Sequence, residues 1–255
     1  MDALKKAVYK TIDAATFGRG VTRRIGDVKI KFPARWSRWY DKNYEPETFA
    51  FLRENVKAGA TVLDLGAHMG LFSVVMSQTV GRDGRVFSFE PTPSTRNVLK
   101  EVVKLNGCDH NVEVRSEAVS RQKGKLFFYD TGDEVSNANS LVQTERSLNK
   151  IEIDTISLDE FVAERNLKKI DCLKIDVEGA ELDLLEGAKN VFTKMRPAAL
   201  LSLHPVSIKA NNQSLESIWE TAKSYNMRVI YEGRETSKES FCGHDGLFDV
   251  HLFPA

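Results

Sequence analysis

Four acidic side chains and one imidazole stand at or just past the ends of short apolar runs, where a folded chain could bring them to one place: Asp64, Glu90, Asp176, Glu178 and His204. The segment Val62-Leu63-Asp64-Leu65-Gly66-Ala67-His68-Met69-Gly70 reads as a buried strand, a turn and the start of a helix. Its glycines let the backbone approach a ligand: Gly66 takes the sharp bend, and Gly70 permits close packing as the helix begins. The next apolar run ends in Glu90, where a carboxylate can accept hydrogen bonds from both hydroxyls of a ribose. The glycine spacing is GxxxG. His68 stands where dinucleotide loops carry the middle glycine that admits a pyrophosphate. Asp64 is expected to place an anion near where phosphates would lie, which repels phosphate but suits the ammonium of an amino-acid ligand. A nucleoside with that ammonium, a sulfonium and no phosphate meets these demands, so S-adenosylmethionine is the expected cofactor. NAD(P) bound by an oxidoreductase on a related sheet is the alternative, and a cofactor-binding module without catalysis is a third reading.

Transfer of a methyl group from a sulfonium to a hydroxyl is an in-line displacement. It needs an aligned acceptor, a dry site and a proton acceptor. Asp176 ends the apolar run Cys172–Ile175, so desolvation is expected to raise its proton affinity. It reads as a general base, as a partner of the cofactor's ammonium, or as the cap of a helix starting near Glu178. His204, after Leu200-Leu201-Ser202-Leu203 and before Pro205, is the second catalytic candidate. Its bland alternative is a hydrogen-bonded residue at a strand boundary. His244, near two glycines in a late loop, is a weaker base candidate. Asp176, Glu178 and His204 could gather round a divalent cation, but no HxxxH or DxD spacing supports that, and no metal is assigned.

The elements that must position these groups alternate from Thr61 onward. Strands are expected at Thr61–Leu65, Arg85–Glu90, Asn111–Arg115, Ile170–Ile175 and Ala198–His204. Helices are expected at Leu71–Thr79, Ser94–Asn106 and Glu178–Ala188. The first and fourth strands are rich in Val and Leu with little alternation, as parallel strands covered on both faces require. Lys125–Tyr129 and Ile151–Asp154 read as extra strands joined by the polar loop Thr131–Lys150. Met227–Tyr231 and Leu247–Phe253 suit an antiparallel pair at one sheet edge. Residues 1–43 form an N-terminal extension to a domain spanning 44–255. Leu4, Val8, Ile12 and Ala15 lie at helical spacing within it. That helix is expected to pack on the main domain, with a lid, a homodimer contact or a membrane-surface contact as alternatives. Arg19 to Arg38 holds seven basic residues and one acid, followed by Trp39 and Tyr40. This stretch suits a sugar or an anion, and equally a solvated hairpin.

Composition narrows the classes. The 255 residues carry 36 basic and 36 acidic side chains, which argues against nucleic acid as the main partner. The cysteines, Cys108, Cys172 and Cys242, are far apart and odd in number, as reduced thiols in a cytoplasmic protein would be. No run approaches the roughly 18 apolar residues of a membrane span.

The chain resembles the FkbM family of S-adenosylmethionine-dependent methyltransferases. The resemblance rests on Tyr44-Glu45-Pro46-Glu47-Thr48, Asp64-Leu65-Gly66-Ala67-His68-Met69-Gly70, Phe89-Glu90-Pro91 and Glu117-Ala118-Val119-Ser120. It continues in Asp154-Thr155-Ile156-Ser157-Leu158-Asp159 and in Leu173-Lys174-Ile175-Asp176-Val177-Glu178-Gly179-Ala180-Glu181. It implies an α/β, Rossmann-like class I methyltransferase fold: a mostly parallel seven-stranded sheet with helices on both faces, here with an N-terminal helical and hairpin extension. It also implies that Asp64, Gly66 and Gly70, with Ala67 and His68 between them, surround the methionine moiety, and that Glu90 binds the ribose. Pro91, Glu117 and Ala118 would lie at the adenine, and Tyr44 and Glu45 would close over the cofactor. The family commonly has Asn at the position of His68. Its members act mostly as O-methyltransferases on natural products, sugars or glycans, so the implied acceptor is a hydroxyl of a small molecule or sugar.

Overall fold

The computed structural model describes residues 8, 9, 11, 12, 14, 15, 18–130, 135 and 149–255. In chain order the elements are β1 (Val21–Ile25), β2 (Val28–Phe32), α1 (Pro46–Asn55), β3 (Thr61–Leu65), α2 (Leu71–Val80), β4 (Arg85–Phe89), α3 (Pro93–Leu105) and β5 (Val112–Arg115). There follow β6 (Ala118–Val119), β7 (Gly124–Asp130), β8 (Asn149–Ile156), α4 (Leu158–Glu164), β9 (Cys172–Ile175), α5 (Glu181–Glu186), β10 (Ala198–Leu203), α6 (Pro205–Ala210) and α7 (Leu215–Ser224). The chain closes with β11 (Met227–Tyr231), β12 (Arg234–Glu235), α8 (Lys238–Cys242) and β13 (Phe248–Pro254).

The main sheet runs β12-β11-β13-β10-β9-β3-β4-β5. Strands β5, β4, β3, β9 and β10 are parallel, and β13 is antiparallel to both β10 and β11. The seven expected strands are all present, and the two-residue β12 adds an eighth at the edge. The period of two sorts each central strand between two cores. Val62, Val86, Cys172 and Leu200 join residues of α1, α2 and α3 on one face. Leu63, Leu65, Phe87, Phe89, Leu173, Ile175 and Leu201 join α4, α5 and α7 on the other. Both faces are covered, which explains the near-continuous apolar runs. The chain moves from β3 outward through β4 to β5, then returns to the far side of β3 at β9. The order therefore reverses at β3, and a crevice opens beyond the carboxyl ends of β3 and β9.

The extra strands expected at Lys125–Tyr129 and Ile151–Asp154 are present as β7 and β8, which join β6 in a separate three-stranded sheet. One difference from the sequence expectation bears on the crevice. The helix expected from Glu178 starts only at Glu181, because Glu178 and Gly179 adopt left-handed backbone, φ 53° and 104°, in a tight turn. Its N-cap is Ala180 with no side-chain cap, so Asp176 does not cap this helix. In the extension, residues 8, 9, 11, 12, 14 and 15 are helical and β1 pairs with β2 as a hairpin. Leu4 and most of the loop Thr131–Lys150 lie outside the described residues. Among those described, no helix is long and apolar enough to cross a membrane.

Candidate active site

Backbone contacts bring three strand tips together. Gly66 N and Ala67 N both donate to Phe89 O, at 3.0 and 2.9 Å, and Asp176 N donates to Leu65 O at 2.9 Å. Gly66 has φ 80°, and a Cβ there would sit 1.8 Å from Asp176 O, so only glycine fits. Gly70 is required for another reason: a Cβ would meet Leu99 Cδ1 at 2.4 Å where α2 packs on α3. Beyond these tips lies a cavity of about 470 Å³. That is within the size range of small-molecule sites.

Tyr44, Glu45, Gly66, Ala67, His68, Glu90, Pro91, Glu117, Ala118, Asp176 and His204 all line this cavity, as do Glu178 and Lys174. Asp64 and Gly70 do not, and both expectations for them change. Gly70 acts through packing, not ligand contact. Asp64 is fully buried beneath the site, where its Oδ2 accepts from Ser73 Oγ at 2.6 Å, and Ser73 Oγ in turn accepts from Ser88 Oγ at 2.8 Å. Its Oδ1 lies 4.0 Å from Lys174 Nζ. Ser88, Asp64 and Lys174 are register partners across β4, β3 and β9, so cross-strand pairing sets up the row. Asp64 therefore faces Lys174 and Ser73 in the interior and not the cavity.

Glu90 is fixed by backbone. Its Oε2 accepts from His68 N at 3.0 Å and its Oε1 from Thr92 N at 2.9 Å, while Arg96 binds the carbonyls of Glu90 and Pro91. Each oxygen keeps lone-pair capacity beyond that bond, and the residue lines the cavity. Burial pushes the Glu90 carboxyl up, against the pull of the Thr92 and His68 bonds and the Arg96 charge. His68, at φ 48°, is neutral: burial lowers it to about 4. Its Nδ1 lies 3.1 Å from Tyr40 Oη, and its Nε2 is buried with no partner among the described residues. Glu117 is paired with Arg115 and also accepts from Ser116 N.

At the opposite wall the groups are held by side chains. Lys174, 3% exposed, lies 3.2 Å from Asp176 Oδ2, and Phe72 stands 5.3 Å from its ammonium. Burial would raise the Asp176 carboxyl, but the charges of Lys174 and His204 outweigh it and hold Asp176 below its usual range. The expected rise in its proton affinity is thus reversed. His204 Nδ1 lies 2.8 Å from Glu181 Oε1, and its Nε2 lies 3.5 Å from Asp176 Oδ1 and 3.8 Å from Glu178 Oε2. Burial would lower its pKa, yet the Glu181 bond and the nearby carboxylates carry it to about 9. At neutral pH this imidazole is protonated. Glu178 is lifted by burial to about 7.

Several residues of the site, most of them in its lining, escaped the sequence. Lys174 was detectable as the one charge within Cys172–Ile175, and Glu181 as the last residue of its motif. Trp39 and Tyr40 of the basic aromatic stretch do line the cavity, with Leu126 and Phe128 of β7 and Ser202, Leu247 and Asp249 from the β10–β13 edge. Spacing gave no sign of this last group. Residues of Pro205–Ser214 are not among the lining, and His244 instead stacks on Phe248, ring centroids 4.0 Å apart.

Residues 64–229 match the family model described as the methyltransferase FkbM domain. The hexuronic acid methyltransferase AglP of Haloferax volcanii is 29% identical over 150 residues, 59% of this chain and 59% of that protein. The 2-O-methyltransferase NoeI of Sinorhizobium fredii is 27% identical over 154 residues, 55% of this chain and 62% of that protein. The matched region thus spans about three fifths of the length of these relatives. A SAM-dependent O-methyltransferase of Thermotoga maritima superposes with a TM-score of 0.50 at 12% identity, over 92% of this chain and 78% of that one. That likeness concerns the fold.

Proposed function

Because the chain belongs to the FkbM methyltransferase family and has the class I fold, we propose that it transfers a methyl group from S-adenosylmethionine to a hydroxyl of a sugar or other small molecule. The observation that carries this reading is one cavity with two unlike ends. One end holds a buried carboxylate with free lone pairs, Glu90, beside the glycine bend. The other holds Asp176, Glu178 and His204. S-adenosylmethionine fits the residues present: the Gly66 bend lines the cavity without a side chain, and Glu90 lines it with a carboxylate whose two oxygens each keep a lone pair beyond their backbone bonds. When bound, it supplies an electrophilic methyl carbon on a sulfonium.

The chain's own groups do the rest. Gly66, Ala67 and His68 form the floor at the methionine end, and Pro91, Glu117, Ala118 and Phe128 form the slot for the base. Tyr44, Glu45, Tyr40 and Trp39 wall the site, so the extension of residues 1–43 contributes directly to it. Asp176, ionised and facing the cavity, is placed to receive the acceptor's proton. A hydroxyl that took up a methyl group would become strongly acidic, so a carboxylate of low basicity at Asp176 would suffice to take its proton. His204, held by Glu181, keeps Asp176 oriented and ionised. The hexuronic acid and 2-O-methyl activities of the two relatives favour a sugar hydroxyl as acceptor. Calorimetric titration with S-adenosylhomocysteine and, separately, NAD tests the reading; binding of NAD alone would end it.

A further inference from the structure

The ligating atoms of Asp176, Glu178 and His204 lie within 4.8 Å of one another at the ends of β9 and β10. The two separations from His204 Nε2, 3.5 and 3.8 Å, exceed good hydrogen-bond lengths. They come close to the roughly 3.0–3.5 Å between atoms that share one cation at about 2.1 Å. A second observation concerns a group outside the trio. Glu181 is wholly buried, and its Oε1 faces His204 Nδ1 and accepts from Gly179 N at 3.1 Å. Its Oε2 is buried with no partner among the described residues. An Nδ1–H given to this carboxylate leaves the Nε2 lone pair directed at two further carboxylates. Outer carboxylates impose that arrangement on histidines that ligate metals. It also sets three carboxylates round one imidazole, with the Lys174 ammonium 3.2 Å from one of them.

We propose that Asp176, Glu178 and His204 form a divalent-cation site, of the Mn2+ and Mg2+ class, at the acceptor end of the cavity. Two carboxylate oxygens and one imidazole nitrogen suit such an ion. The cation replaces the proton on Nε2. Three protein ligands leave positions for water and for the acceptor's hydroxyl, whose O–H a bound cation acidifies. The sequence spacing gave no support for the site because its ligands come from two neighbouring strand tips, not from one helix or loop. The use of the cation in methyl transfer rests on the function proposed above; its binding does not.

Titration of the full chain with Mn2+, followed by loss of the free-ion electron paramagnetic resonance signal, tests the site. One saturable Mn2+ per chain is expected, displaced by Mg2+ and weakened tenfold or more by Asp176→Asn. Glu178→Gln, at a partly exposed side chain that folding tolerates, is expected to do the same. Glu181→Gln changes a positioning residue and should weaken Mn2+ about tenfold while leaving S-adenosylhomocysteine affinity unchanged. Absence of saturable binding up to about 1 mM, the weak end of biological cation sites, overturns the site. Binding that survives both ligand substitutions does so as well. Parallel titration with S-adenosylhomocysteine separates the two ideas: Mn2+ binding without it upholds the site and sinks the transfer reading, and the converse result does the reverse.

Discussion

On the β3–β4 side of the cavity, the atoms that face a ligand are fixed by main chain. Glu90 is gripped by two backbone N–H groups, and Gly66 and Ala67 are tied to Phe89 O. On the β9–β10 side, Asp176, Glu178 and His204 are fixed by other side chains: Lys174, Glu181 and one another. A main-chain framework reproduces one shape and suits a ligand common to many enzymes. A side-chain framework can be rebuilt residue by residue and suits an acceptor that differs among them.

The sharpest way to break the contrast is Gly66→Ala. With φ at 80° and a Cβ 1.8 Å from Asp176 O, the substitution must displace one strand tip. Calorimetry is expected to find no S-adenosylhomocysteine binding; near-normal affinity would show that the framework yields. Asp176→Asn should lower turnover by about 10²–10⁴ while cofactor affinity changes little. Equal losses in both would move Asp176 to the binding wall. Glu90→Ala removes two charge-assisted bonds worth ~1.5–3 kcal/mol each. S-adenosylhomocysteine should then bind about 100-fold more weakly or worse, and unchanged affinity would remove Glu90 from the ribose.

His68 sharpens the comparison through pH. Its imidazole is neutral in the fold, with a pKa of about 4, and titrates near its ordinary 6.5 when unfolded. The unfolded chain therefore binds an extra proton between those values, and stability falls as pH drops through that window. The loss between pH 7 and pH 5 is roughly 2 kcal/mol. His68→Asn should abolish that part of the slope in urea unfolding at the two pH values; an unaltered slope would mean the imidazole is not buried neutral. The smallest effect is expected from Trp39→Ala, at the partly exposed rim. It should raise the acceptor's KM a few-fold with cofactor affinity intact, and a matching loss of cofactor affinity would blur the two walls.

The main-chain wall was largely legible in the sequence because its elements are local: a strand, a bend and a helix within Val62–Thr79, and a carboxylate one strand later. The order of the strands was legible for the same reason, through apolar runs whose two faces are both covered. The other wall was only partly so. Asp176 and His204 stood out at strand ends, but the direction of the Asp176 shift was reversed by Lys174. Those two residues lie two apart on extended chain and so share a face. Asp64 was misplaced because its partner lies 110 residues onward, and only strand register brings the pair together. Leu126, Phe128 and Leu247 carried no signal at all: an apolar side chain facing a cavity looks, in sequence, like one facing the core.

The cross-strand couple of Asp64 and Lys174 has a bearing on how this site can drift over generations. Removing the Lys174 charge leaves the Asp64 carboxylate in a dry interior with the Ser73 hydroxyl as its donor, whereas removing the Asp64 charge still leaves Lys174 beside Asp176. Position 64 should accordingly vary more freely than position 174, and a library varying both at once would recover folded variants with neutral residues at position 174 that one-at-a-time substitution misses.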